Sequence, residues 1–147
     1  MKPFRVPLSV TAVALFALGC APSPGGHVRS DTLSYIEAVS EQGMSVARTM
    51  AGASNLEDIR GVLLTAKSVE ASRYGDYLRA GNGEGPSNAQ DIADDADEVH
   101  RLFQQAVSEF LMYWEDRNAA HVTDGSAMLK RCVSQANIIV NRMSAQR

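Results

Sequence analysis

Basic residues are too few and too scattered in this chain for a nucleic-acid-binding protein: 14 Lys and Arg stand against 17 Asp and Glu, a formal charge of −3. Neutralising phosphates takes a cluster of Lys and Arg, and the same shortage disfavours attachment to an anionic lipid surface through charge alone. Cysteine is scarcer still. With only Cys20 and Cys132, no disulfide framework can be built. Long apolar runs are missing as well: the longest, Val6 to Leu18, covers about 13 residues where a membrane-crossing helix needs roughly 20. No stretch alternates apolar and polar residues with period two, so no sheet is expected. There is no serine–histidine–acid set, phosphate loop, paired catalytic carboxylate or Cys-x-x-Cys-His haem motif, and no enzymatic activity is expected.

What is present begins with the short apolar run itself. Lys2 and Arg5 precede it and small residues close it, the layout of a secretory signal peptide. Its end, Ala17-Leu18-Gly19-Cys20, resembles the lipobox of bacterial lipoproteins. The resemblance implies removal of residues 1–19, lipidation of Cys20 with palmitate-type acyl chains, and a mature protein held on a membrane of the cell envelope. In a diderm bacterium, Ala21 after the cysteine resembles the class sorted to the periplasmic face of the outer membrane. Each buried methylene contributes about 0.8 kcal/mol, so two or more chains anchor stably where one is marginal. An ordinary signal peptidase also accepts Ala17 and Gly19. Cleavage by it would leave a secreted protein with a possible Cys20–Cys132 bridge, whereas lipidation leaves Cys132 without an intrachain partner.

The mature chain is about 128 residues, one ordinary domain, able to bury close to two thirds of its unfolded surface without staples. Removing Lys2 and Arg5 takes its formal charge to about −5. Residues 20–30, the lipidated cysteine followed by a Pro- and Gly-rich segment, read as a flexible tether in which His27 is idle. Residues 31–147 read as four amphipathic helices. The first runs from about Asp31 to Ala51 with Leu33, Ile36, Val39, Gly43, Ala47 and Met50 on one face. Ser54 and Glu57 have capping-box spacing before the second, whose stripe takes in Ile59, Leu63, Ala66, Val69, Arg73 and Tyr77. It ends in Gly81–Pro86, the clearest breaker. Ser87 and Gln90 open the third, which carries Ala96, Val99, Phe103, Ala106 and Phe110 and fades near Asn118. The fourth starts around Thr123 or Asp124, with Met128, Cys132, Ala136, Ile139 and Met143 on one face. Short connections and no strands predict an all-α, antiparallel up-down four-helix bundle. The tether, the glycine-rich loop and the C-terminus would then share the membrane end, with Gly52–Asn55 and Asn118–Gly125 facing away.

Several constellations invite chemistry and have plainer readings. Asp91, Asp94, Asp95, Asp97 and Glu98 suit the positive end of a helix dipole, with Asp97 placed to pair with Arg101 at i,i+4. Asp97 and His100 have the spacing of half a di-iron motif, but the other half is missing. Cys132 on an apolar face reads as a core thiol, and Met50, Met128 and Met143 as packing rather than copper ligands. Arg73 is the one charged candidate for an inward polar group, and a snorkelling side chain explains it equally. Tyr113, Trp114, Glu115 and Asp116, with His121 across the connection, form either a partner-binding edge or the closure of the bundle end, since Trp and Tyr dominate interfaces and cores alike.

The expectation is therefore a non-enzymatic, lipid-anchored bundle that binds another envelope protein as adaptor, scaffold or inhibitor, of the kind that immunity lipoproteins exemplify, with no cofactor. The alternative is a bundle that holds a small ligand or a metal between its helices.

Overall fold

The computed structural model describes residues 24–82 and 87–145, and all of its regular structure is helical. The leader and Cys20 lie outside the described residues. Among the described residues there is no strand, and no helix is long and apolar enough to cross a membrane. Four helices, α1 (Pro24–Gly52), α2 (Arg60–Tyr77), α3 (Ser87–Asp116) and α4 (Ala120–Ser144), close on one core.

The register of α3 explains its central place. Ala96, Val99, Phe103, Ala106 and Phe110 recur every three or four residues and are all at most 1% exposed. Leu102 and Val107 widen this stripe into a band broad enough to face several neighbours at once. Accordingly α1 and α3 each pack against all three other helices. Burying a side chain such as Phe103 contributes about 1.5–3 kcal/mol, so the band is the main source of cohesion. At Gly125 the fourth helix comes so close that an added Cβ would sit 2.7 Å from the Phe110 ring, which explains a glycine inside a helix. Gly43 does the same between α1 and the Val133 side chain.

Element boundaries differ from the sequence reading at several places. The first helix begins already at Pro24, within the expected tether; a proline in the first turn forfeits no hydrogen bond, so it starts the helix instead of breaking it. A 3₁₀ turn, Leu56–Ile59, precedes α2, and its cap is Asn55, whose side chain accepts the Glu57 N–H at 3.1 Å, in place of Ser54. Leu78–Asn82 continues α2 as a π-helical turn. The side chains of Ser87 and Gln90 lie outside the described residues. α3 stops at Asp116 and α4 resumes at Ala120, so His121 and Val122 belong to its first turn.

Four stripe positions are also corrected. Ala47 is exposed, and Val46 is buried in its place. Leu129 is in the core where Met128 only borders it. On α2, Val69 is 38% exposed and Arg73 points to solvent; the buried face passes through Leu63, Ala66, Glu70 and Tyr77.

Candidate functional site

That last correction exposes the most unusual feature of the interior. Glu70 is fully buried, and three side chains from two other helices converge on its carboxylate. Tyr35 Oη of α1 donates to Oε1 at 2.5 Å, Gln104 Nε2 of α3 donates to Oε2 at 2.5 Å, and His100 Nδ1 lies 2.9 and 3.0 Å from the two oxygens. A carboxylate taken out of water is tolerated only when donors replace its hydration, and here every neighbouring helix but α4 helps. Aromatic rings seal the group: Tyr74 stacks on the His100 imidazole with centroids 3.9 Å apart, and Tyr35 stacks on Tyr77 at 5.3 Å. Tyr74 Oη in turn donates to Asp97, and Thr32 Oγ1 meets Tyr77 Oη at 2.9 Å.

The electrostatic consequences follow from burial. The Tyr35 phenol is pushed far above its ordinary range by desolvation first and by its bond to Glu70 second; Tyr74 and Tyr77 are raised for the same leading reason. The Cys132 thiol, fully buried with Sγ 3.6 Å from the Val99 carbonyl, is pushed up to about 12 by desolvation, aided by the charges of Glu70 and Glu98. A thiol so raised is no nucleophile at neutral pH. Nor does the Glu70 network offer a place for a substrate, because the carboxylate has no exposed surface. Its chemistry is that of a pin holding α1, α2 and α3 in one register.

Asp97 and His100 thus come together, but around Tyr74 and Glu70. Among the described residues no group of three or more His, Cys, Asp or Glu is arranged to hold a metal ion. Two of the other acids tie α3 to α4 at the surface: Asp95 pairs with Arg142, and Glu98, which pairs with Arg101 of its own helix at 2.5 Å, faces Arg131 at 3.9 Å. Arg101 therefore takes Glu98 rather than Asp97, the i,i+3 neighbour being the one Tyr74 leaves available.

The aromatic edge lies at the α3–α4 corner. Tyr113 and Trp114 are half-buried and meet edge to face at 5.6 Å; Trp114 also packs against the core and so closes the bundle end. Glu115 and Asp116 are exposed. His121 bridges Glu109 at 2.7 Å and Asp116 at 3.1 Å. Those bonds, the one to Glu109 first, hold its imidazole above the usual histidine range. Asp116 is held below the carboxylate range, chiefly by the Asn118 N–H.

Arg117, which sequence reasoning passed over, completes the corner. It is the one non-glycine residue among those described with a positive φ, 60°. Its N–H closes α3 on the Tyr113 carbonyl at 2.9 Å, a helix-ending position where glycine is usual. Holding a side chain there costs about 1–2 kcal/mol. The side chain is used: its guanidinium pairs with Glu57 of the α1–α2 connection and lies 5.7 Å from the Tyr113 ring centroid. The Glu57 carboxyl is lowered accordingly, by Arg117 first, with a smaller contribution from the Trp114 indole. That indole Nε1 is buried and has no hydrogen-bond partner among the described residues. No residue pattern announces a left-handed arginine, so nothing in the sequence marks it.

Beside this corner, between α1 and α4, runs an apolar groove of about 500 Å³ floored by Phe110 and Leu129. No protein-family profile, no curated protein and no solved structure matches the chain.

Proposed function

We propose that the protein is an envelope lipoprotein, anchored through Cys20, whose helical domain is a non-enzymatic module that binds another envelope protein at the Tyr113–Trp114–Arg117–His121 corner. The architecture in this reading is an antiparallel up-and-down bundle. It is supported by paired contacts whose numbering rises in one helix as it falls in the next: Thr32–Tyr77 and Gln42–Ala66, Glu70–His100 and Lys67–Ser108, Asp95–Arg142 and Phe110–Gly125. The corner then stands at the end opposite the anchored N-terminus.

The observation that carries the proposal is Arg117. Backbone strain retained where glycine would be free of it points to a side chain under selection for more than folding. Here the side chain brings Arg, Tyr and Trp together, the three residue types that dominate binding hot spots. Ion pairs to Glu57, Glu109 and Asp116 hold the corner in place before any partner arrives, which lowers the ordering cost of association.

Crosslinking in intact cells tests this. One discrete complex is expected with the wild-type chain. Arg117→Gly should abolish it while leaving the urea midpoint equal or slightly higher, because the strain is relieved. A complex that survives both Arg117→Gly and Trp114→Ala refutes the placement. For the anchor, Cys20→Ser should release the protein from the membrane fraction, and continued sedimentation with membranes would refute lipidation.

A further inference from the structure

The groove between α1 and α4 has a composition unlike the corner beside it. Met44 and Met50 form one wall, and Val122 and Val133 the other. Among its lining residues only Ser126 and Lys130 are polar, and the Ser126 hydroxyl is already donated to the Val122 carbonyl at 2.7 Å. Lys130 is exposed and makes no ion pair among the described residues. It is the single charge on the rim of an otherwise apolar channel.

We propose that this groove binds one straight alkyl chain bearing a carboxylate, that is, a long-chain fatty acid, with the chain on Phe110 and Leu129 and the carboxylate at the Lys130 ammonium. Volume supports a chain of this kind. A cavity of about 150 Å³ holds one benzene, or roughly 25 Å³ per carbon; at that rate the groove's volume of about 500 Å³ takes up to about 20 carbons if filled. A protein partner is a poorer match, since a stable interface covers about 800 Å² on each side and this groove is lined by only eleven residues. Charge complementarity selects the head: the lone rim charge is positive. The methionine walls suit a flexible chain, because thioether side chains adjust to irregular apolar shapes. The protein's own lipid is a poor occupant under the anchored reading. Met44 stands twenty residues beyond Pro24 on α1, about 30 Å along the helix at 1.5 Å per residue, while three residues reach at most about 10 Å, so an acyl chain on Cys20 could enter the groove only by leaving the bilayer, which would undo the anchor.

The test is photolabelling of the full chain in nanodiscs with a diazirine-bearing palmitate, followed by peptide mapping. Label is expected within 44–56 and 122–133. Ala47→Phe, which fills the groove from an exposed position, should lower labelling at least tenfold. Lys130→Glu, at the exposed rim, should lower carboxylate labelling about tenfold and raise labelling by the corresponding long-chain amine probe. Labelling spread over the chain, or untouched by both variants, overturns the site. Equal labelling by carboxylate and amine probes before and after Lys130→Glu overturns the choice of head group. A groove that takes no probe but crosslinks to a protein segment in cells overturns the fatty-acid assignment.

Discussion

Removing the Glu70 carboxylate should be among the most damaging single changes the domain can suffer. Glu70→Ala leaves the Tyr35 hydroxyl, the Gln104 amide and the His100 ring without their common acceptor, two of these groups lying at 2.5 Å from it in the native protein. An orphaned buried donor costs about 1–3 kcal/mol, and Glu70→Ala orphans more than one. His100 is partly exposed, with its side chain at 26%, so water can replace part of its loss. About 3–5 kcal/mol in total is therefore expected, a large share of the 5–15 kcal/mol typical of a domain. Urea unfolding of the wild type and variant measures it. Glu70→Gln keeps an acceptor for Tyr35 and should lose less, about 1–3 kcal/mol. Tyr35→Phe together with Glu70→Met and Gln104→Leu removes most of the polar set at once and should recover part of the loss, because a well-packed apolar replacement avoids the desolvation cost. A Glu70→Ala loss below about 1 kcal/mol would refute the reading of this carboxylate as the pin between three helices.

Other substitutions test other parts of the account. Gly125→Ala should destabilise by about 1–3 kcal/mol through overpacking against Phe110, whereas Gly61→Ala, with open space around its Cβ, should stabilise by about 0.5–1 kcal/mol; thermal melts of the pair would contradict the packing argument if the signs were reversed. Cys132 should resist iodoacetamide at pH 8 and react only as the domain unfolds in urea, since a thiol raised to about 12 and fully buried presents almost no thiolate. The pH dependence of His121 has a definite sign. Its folded pKa is raised, so the stability it contributes is fully present below the unfolded value of about 6.5 and is lost as pH rises through the folded value. The stability gap between wild type and His121→Gln should therefore be wide at pH 5.5 and close by pH 8.5, and a gap that widens with pH would contradict the assignment.

The helical class and the α3 stripe were legible because their periodicity is local: Val99, Phe103, Ala106 and Phe110 step every three or four residues, and burial follows the step. Where two steps were both allowed, hydropathy misled. Val69 and Glu70 are adjacent, and a valine attracts a core assignment. The carboxylate nevertheless turns inward, because Tyr35, His100 and Gln104 from other helices meet it there, and no window around residue 70 contains those donors. The same holds at the corner. Tyr113, Trp114 and His121 stood out by type, but Arg117 matters through a backbone angle and a partner, Glu57, sixty residues away.

Site-specific photocrosslinking in living cells bears most directly on the central claim that this domain holds a partner at the α3–α4 corner. A photoreactive residue in place of Glu115 should give one discrete adduct that disappears when Trp114→Ala is added, while the same probe in place of Ser72, on the exposed side of α2, gives none. No adduct from position 115, or equal adducts from both positions, would contradict it.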